Sequence, residues 1–72
     1  MSVYQRLKDL REDADKSQED IAGIIGTSQS YYAQYENGKR SIPFDRMVLL
    51  AKYYNVSLDY LAGLIDTPRK LK

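Results

Sequence analysis

Residues 18–37, QEDIAGIIGTSQSYYAQYEN, decide the fold of this 72-residue chain. Large apolar side chains occupy four positions of the stretch at helical spacing: Ile21, Ile25, Tyr32 and Tyr35. Ala22 is small where a second helix would cross closely, and Gly26 permits a sharp turn between the two helices. A helix-turn-helix requires this combination of residues. Any tight helical hairpin is the alternative, but the agreement of these features within one short window favours the helix-turn-helix.

Hydrophobic periodicity predicts an all-α domain of five short helices without strands. The predicted helices span approximately residues 3–13, 18–25, 29–36, 43–54 and 58–62. Apolar stripes support the first, fourth and fifth helices: Val3, Leu7, Leu10 and Ala14; Met47, Leu50, Ala51 and Tyr54; Leu58 and Leu61, with Leu64 as a further candidate. We expect these stripes to face one core.

Cap residues mark where the helices begin. Ser17 opens the segment SQED, in which its hydroxyl can accept a backbone N–H and Asp20 can return the bond as a capping box. Ser28 and Ser57 stand where the third and fifth helices start. Pro43 fits the first position of the fourth helix. Each prediction rests on contacts within a few residues.

Length and composition indicate one domain, residues 1–65, followed by a C-terminal tail or linker stump, residues 66–72. The chain has no cysteine, so neither a disulfide nor a thiolate metal site can support the fold. No apolar run approaches the roughly 20 residues that span a bilayer, and no secretory signal opens the sequence. We therefore predict a cytoplasmic protein with no membrane partner.

The net charge of +1 hides an asymmetry between the two halves of the chain. Residues 1–36 carry four Lys/Arg against seven Asp/Glu, whereas residues 37–72 carry seven against three. A basic second half is compatible with binding to a polyanion, although charge runs on small proteins are more often solvated surface.

An enzymatic function finds little support in the residue types present. The chain has neither His nor Cys, which removes the commonest general base, the thiol nucleophile and most transition-metal sites. The carboxylates between residues 9 and 20 fall on exposed helical positions and near a helix N-terminus, where the helix dipole favours acids. No glycine-rich phosphate loop or cofactor fingerprint occurs. We predict a protein that is not an enzyme and that binds no cofactor or metal.

Seven tyrosines raise the question of base stacking on single-stranded nucleic acid. Four of them stand at helical spacing among aliphatic neighbours: Tyr4, Tyr53, Tyr54 and Tyr60. That pattern is typical of the core and its rim, so we interpret these four as structural.

Three segments, KSQEDIAGIIG, TSQSYYAQYENGKR and LLAKYYNVSLDYLAGL, together resemble the Cro/CI-type repressors of lambdoid phages and the related bacterial Xre regulators. The resemblance covers nearly the whole chain. It implies a compact five-helix, lambda-repressor-like domain that binds double-stranded DNA as a transcriptional regulator, acting as a repressor. It also implies that Arg11 and Glu36 pair across helices one and three. Asp13 and Asp15 depart from the pattern, because relatives often carry Gly or Lys near that turn.

The third helix divides into two faces when its residues are placed at about 100° intervals. Tyr32 and Tyr35 lie on one face, and the other face carries small and polar residues: Gln29, Ser30, Ala33, Gln34 and Asn37. A major groove admits a helix, Gln can pair with the adenine N6/N7 edge, and Ser can serve several bases. The resemblance places base readers at Gln29, Ser30 and Gln34, whereas the alternative interpretation is that they only solubilise an exposed helix.

Other residues are predicted to contact the phosphate backbone, which positions a protein without reading sequence. They are Gln18, Ser28, Tyr31, Asn37, Lys39 and Arg40. Gln18 begins the second helix, and the matching family residue makes such a contact. Lys39 and Arg40 follow the third helix in a basic turn. Asn37 can equally be a simple helix stop, and the Tyr31 ring can equally pack at the flank.

The resemblance also implies a homodimer on a two-fold operator, because a monomer of this size covers one half-site. Leu61, Leu64 and Ile65 are candidate dimer contacts, or they complete the monomer core. The alternative function is that of an antitoxin that binds a toxin protein and its own operator.

Overall fold

The computed structural model describes residues 3–65, which form five α-helices. The helices are α1 (Val3–Asp13), α2 (Gln18–Ile24), α3 (Gln29–Glu36), α4 (Phe44–Tyr54) and α5 (Leu58–Leu61). This part of the chain contains no strand, so the predicted all-α, five-helix class is confirmed. Within residues 3–65, no helix has both the length and the apolar character that crossing a bilayer requires. The tail predicted at 66–72 lies outside the described residues.

One hydrophobic core lies between the helices and receives side chains from all five. Its buried members are Leu7, Ile21, Ala22, Ile25, Tyr32, Tyr35, Leu50, Ala51, Val56 and Leu61. Each large apolar side chain removed from water in this way contributes roughly 1.5–3 kcal/mol. The pairing of α2 with α3 is the most extensive contact between helices, and α1 packs on both α3 and α5. The α2–α3 pair is therefore held as a unit against the rest of the domain.

The turn between α2 and α3 depends on one left-handed backbone position. Gly26 adopts φ +77°, and the next residue, Thr27, donates its backbone N–H to the carbonyl of Ala22 at 2.9 Å. Ala22 is buried where the two helices meet. Because only a small residue leaves room for a close crossing and only glycine takes this φ without strain, the two positions together set the angle of the turn.

Side-chain caps begin three of the helices as predicted. The Ser17 hydroxyl accepts from the Asp20 backbone N–H, and the Asp20 carboxylate accepts from the Ser17 backbone N–H, both at 3.0 Å. Ser28 caps α3, and the Ser57 hydroxyl caps α5 by accepting from the backbone N–H of Tyr60 at 3.2 Å. These bonds satisfy donors that a helix start leaves free.

Three local predictions are wrong, one of them at Leu64, which is 75 % exposed and does not join the stripe of α5. Pro43 is the N-cap of α4 and not its first helical residue: its ψ of 150° is extended, and its carbonyl accepts from the backbone N–H of Met47 at 3.0 Å. Ala14 is exposed and does not join the buried stripe of α1. The helix ends at Asp13, one residue before Ala14, and Asp15 then adopts a left-handed φ of 56°.

The four tyrosines interpreted as structural differ in depth. Tyr54 and Tyr60 are partly buried against the core, whereas Tyr4 and Tyr53 lie at its exposed rim. Burial raises the pKa of Tyr54, and burial near Glu36 does the same for the core residue Tyr32. Both hydroxyls are therefore harder to ionise than the hydroxyl of an exposed tyrosine.

Two glycines of the same segment should respond oppositely to alanine. An added Cβ meets nothing within 4 Å at either Gly23 or Gly26, but only Gly26 has a positive φ. Gly26→Ala should therefore destabilise the domain by about 1 kcal/mol or more through backbone strain. Gly23→Ala, inside α2, should stabilise it by about 0.5–1 kcal/mol. Thermal unfolding followed by circular dichroism measures both, and a stabilised Gly26→Ala variant would contradict this account of the turn.

Candidate nucleic-acid interface

The inner face of α3 anchors the helix in the core. Tyr32 and Tyr35 are both buried there, with their rings in edge contact at 6.3 Å between centroids. The hydroxyl of Tyr35 accepts from Nη1 of Arg46, on α4, at 2.9 Å. This last contact joins residues on different helices, and nothing in the sequence pattern indicated it. The hydrogen bond between Arg46 and Tyr35, together with the buried rings, holds α3 in one orientation about its own axis. The opposite face of the helix therefore points outward.

The outer face of α3 brings the three predicted base readers onto one surface. Gln29 and Ser30 are exposed in the first turn, and Gln34 is half-buried one turn further along. Ala33 lies between them without a long side chain. The surface is thus polar, with short side chains at Ser30 and Ala33 that would let a partner approach the helix closely.

A chain of polar contacts connects the core to Gln29. Nε of Arg11, on α1, donates to Oε2 of Glu36 at 2.8 Å, forming the ion pair that the family resemblance implies. Nε2 of Gln18 donates to Oε1 of Glu36 at 3.1 Å. Nε2 of Gln29 then donates to Oε1 of Gln18 at 2.7 Å. The amide of Gln18 is therefore held from both ends, between a buried carboxylate and an exposed glutamine.

Glu36 is ionised in spite of its depth. The side chains of Arg11 and Glu36 are 13 % and 2 % exposed. Burial alone raises the pKa of Glu36, but hydrogen bonds from Arg11 and Gln18 outweigh it and leave the pKa below its usual value. The same hydrogen bond to Glu36 raises the pKa of Arg11. The pair is therefore charged on both sides at neutral pH, and its charges are compensated inside the domain.

Of the residues predicted to contact phosphate, Gln18 begins α2, and the others lie towards the two ends of α3 or just beyond them. At its start, the Ser28 hydroxyl accepts from the Tyr31 backbone N–H at 3.2 Å and so serves as the N-cap. At its end, Asn37 is the C-cap, and both it and Lys39 are exposed. The structure shows that Asn37 stops the helix. Its side chain is exposed, so the contact with phosphate stays a prediction.

Arg40 differs from Lys39 because its side chain folds back onto α3. Its Nε donates to Oε1 of Gln34 at 2.8 Å, and its guanidinium lies over the ring of Tyr31. Tyr31 is thus on the exposed side of the helix, with its ring covered by a cation. No periodicity in the sequence indicated that these three side chains meet.

Arg6 is a buried cation that the sequence patterns did not indicate. Its guanidinium lies 3.9 Å from the centroid of the Tyr60 ring, and its Nη1 donates to the carbonyl of Ile65 at 3.3 Å. The residue stands one position before the core residue Leu7 on α1. An arginine at that place could only have been interpreted as solvated, since its partners are far away in sequence.

A family model for the helix-turn-helix, HTH_3, matches residues 7–61. The chain belongs to this family of Cro/CI- and Xre-type helix-turn-helix proteins. The match contains all of α2, α3 and α4 together with the buried core residues Leu7 of α1 and Leu61 of α5.

The curated relatives are named as transcriptional regulators, a repressor among them, or as an antitoxin. The uncharacterised HTH-type transcriptional regulator YobD of Bacillus subtilis is 42 % identical over 64 residues, covering 89 % of this chain and 57 % of the relative. The cryptic phage CTXphi transcriptional repressor RstR of Vibrio cholerae is 34 % identical over 62 residues, covering 86 % and 56 %. The antitoxin PezA of Streptococcus pneumoniae is 30 % identical over 61 residues, covering 85 % and 39 %. The chain thus spans about half the length of the first two relatives, and less of the third.

Among solved structures, the P22 c2 repressor in complex with a synthetic operator superposes with a TM-score of 0.78 at 21 % identity. The superposition covers 85 % of this chain and 92 % of the repressor chain. At this identity the comparison shows a shared fold, which confirms the predicted lambda-repressor-like architecture.

Glu36→Ala should be far more disruptive than the same change at Glu12, an exposed acid on α1. Loss of Glu36 leaves the Arg11 charge without its partner, and breaking a buried pair costs about 3 kcal/mol at the lower end of its range. We use the lower end because Arg11 keeps some contact with solvent. Glu12→Ala should remain within about 0.5 kcal/mol of the wild type. Equal midpoints in urea unfolding would show that the pair does not support the fold.

The pH dependence of that difference provides an independent check. Because the pKa of Glu36 is lowered in the folded state, its stabilising contribution is complete above the ordinary value of 4.5 and is lost as the pH falls through the lowered pKa. The deficit of Glu36→Ala relative to wild type should therefore be largest near neutral pH and shrink in acid. A deficit that stays constant down to pH values of about 3 would assign it to lost packing alone.

Proposed function

We propose that this chain is a sequence-specific double-stranded DNA-binding domain of a transcriptional regulator, acting as a repressor, with α3 in the major groove. The observation that carries the proposal is the division of α3, which is anchored by buried tyrosines and presents Gln29, Ser30 and Gln34 outward. The names of its relatives agree with this role. Repression requires only occupancy of a promoter, so the proposed role involves no chemical step or cofactor. We place it in the cytoplasm.

Gln29 is the residue best placed to read a base edge. Its Nε2 uses one hydrogen on Gln18, which leaves a second N–H and the amide oxygen. Those two groups are the ones that a glutamine directs at the N7 and N6 atoms of adenine. Since Gln18 is itself bound to Glu36, the orientation of the Gln29 amide is set before DNA arrives, and less conformational freedom is lost on binding.

The phosphate contacts that we propose flank these readers. Lys39 and Asn37 extend from the end of α3, and Ser28 and Tyr31 stand at its start. Gln18 keeps a second amide hydrogen beyond its bond to Glu36, and this hydrogen can meet a phosphate oxygen. Such contacts set the register of α3 on the duplex and carry no sequence information.

We propose a homodimer that places two α3 helices in successive major grooves, about one helical turn apart. Of the three candidate contacts, Leu61 is fully buried and belongs to the monomer core. Leu64 is 75 % exposed, and the neighbouring Ile65 is only partly covered. A leucine this exposed is available to a second copy, so we retain Leu64 and Ile65 as the proposed contact.

An antitoxin role is the second candidate, and the likeness to the antitoxin PezA is the observation that favours it. Such a protein would use part of its surface to bind a toxin and α3 to bind its own operator. A reading frame for a toxin next to the gene would support this function, and its absence would favour the plain regulator.

Gln29→Ala and Lys39→Ala should separate base reading from phosphate contact. Gln29→Ala should cost about 1–3 kcal/mol on the preferred site, relax the preference at one position per half-site and leave the salt dependence nearly unchanged. Lys39→Ala should weaken preferred and random DNA alike. It should also make the slope of log affinity against log salt shallower by about 0.9. Selection from random DNA gives the base preference at each position. Fluorescence anisotropy gives the affinity for preferred DNA, the affinity for random DNA and the salt dependence of each.

Both variants must first give the circular dichroism spectrum of the folded protein. One contrary result is that Gln29→Ala weakens binding to every sequence equally, and another is that it selects the same site with the same affinity as the wild type. In either case α3 does not read bases through this residue. A toxin-binding or other protein-interaction role would then gain support.

Leu64→Asp should test the dimer without disturbing the core, because the side chain is largely exposed. Affinity for an operator with two half-sites should fall about tenfold or more through loss of the linked second contact. Affinity for a single half-site should stay the same. Analytical ultracentrifugation of the complexes gives the stoichiometry, and one monomer per two-half-site operator for the wild type would rule out the dimer.

A further inference from the structure

The chain that follows α3 returns to the exposed face of the helix. After Gly38, at φ +76°, the backbone N–H groups of Lys39 and Arg40 both donate to the carbonyl of Gln34, at 3.0 and 3.3 Å. The Arg40 side chain therefore starts beside Gln34 in the last turn of α3, a residue that we place among the base readers.

Three side chains hold one another on this surface. Nε of Arg40 donates to Oε1 of Gln34 at 2.8 Å. Cζ of Arg40 lies 4.9 Å from the centroid of the Tyr31 ring, a cation–π contact. The Tyr31 ring in turn packs edge-on against Tyr35, with 5.7 Å between centroids. Since Tyr35 is buried in the core, the guanidinium is connected to the rigid part of the domain.

The hydrogen bond between Arg40 and Gln34 decides which groups remain for a ligand. It uses Nε of the guanidinium and leaves the edge formed by Nη1 and Nη2, whose two parallel donors match the O6 and N7 acceptors of guanine. It also engages the amide oxygen of Gln34, the atom that would have to accept from adenine N6 in a bidentate contact. Arg40 and Gln34 together thus present donors, and guanine presents two acceptors in the major groove.

We propose that Arg40 and Gln34 form a composite reader of guanine. Arg40 contacts O6 and N7 through its Nη groups, Gln34 acts as a positioning residue, and Tyr31 supports the guanidinium from one side. The inference rests on the proposed function, because it requires α3 to lie in a major groove. It assigns Arg40 to a base contact, where the sequence alone favoured a phosphate.

The test combines the replacement of one acceptor atom in the DNA with the replacement of one side chain in the protein and asks whether the two changes affect the same contact. The preferred site is first selected from random DNA, and each guanine in a half-site is then replaced by 7-deazaguanine, which lacks the N7 acceptor and keeps the base pair. At one guanine, wild-type affinity should fall about tenfold. Arg40→Ala should be insensitive to the same replacement. Gln34→Met, which removes the acceptor for Nε and keeps a side chain of similar length, should show a reduced effect at that same guanine.

Lys39→Ala is the matched control, since it removes the neighbouring positive charge. It should weaken binding to both DNAs and retain the full tenfold response to 7-deazaguanine, a response set by the base contact. The melting temperature and circular dichroism spectrum of each variant are measured first. Binding is then compared only among variants that are folded at the assay temperature, so that unfolding is not counted as lost recognition.

The remaining outcomes overturn the inference in distinguishable ways. If Arg40→Ala weakens both DNAs equally and still responds to 7-deazaguanine, Arg40 contacts phosphate. If the selected half-site contains no guanine that responds, the composite reader is wrong while the proposed regulator stands. If the wild type selects no sequence from double-stranded DNA, the proposed function fails and the inference falls with it.

Discussion

The buried carboxylate of Glu36 is the constraint on which the rest of the domain depends. A charge at that depth is tolerated only with hydrogen-bonding partners, and a small domain has too little stability to leave it unsatisfied. Arg11 reaches it from α1, and Gln18 reaches it from the start of α2. Hydrogen bonds are directional where apolar contacts are not. The carboxylate therefore specifies how three helices are placed, and the apolar core supplies most of the stability.

The same constraint extends to the surface through Gln18. Its amide is bound on one side to Glu36 and on the other to Gln29, so an exposed side chain inherits its orientation from a buried charge. At the other end of α3, Gln34 and Tyr31 hold Arg40 in a comparable manner. Side chains ordered before a partner arrives lose less entropy on binding. Side chains at both ends of the outer face of α3 are thus ordered before a partner binds.

Much of the architecture could be predicted because its causes are local. The capping box of Ser17 and Asp20 spans four residues, and the caps at Ser28 and Ser57 act over the same distance. The buried face of α3 followed from the spacing of Tyr32 and Tyr35. The errors were also local in kind. A proline before a helix can be its N-cap or its first residue, and sequence alone did not show which carbonyl accepts the first hydrogen bond.

By itself the sequence determined the five helices, the starts of all of them except α4, and the division of α3 into a packed and an open face, because interactions within about four residues govern these features. Tertiary structure alone decided that Leu61 is buried while Leu64 is exposed. It also decided that Arg6 lies over Tyr60 and that Arg40 returns to Gln34. These outcomes depend on how rigid helices and the turns between them bring distant residues together. A side chain with several possible partners takes the one that packing places beside it.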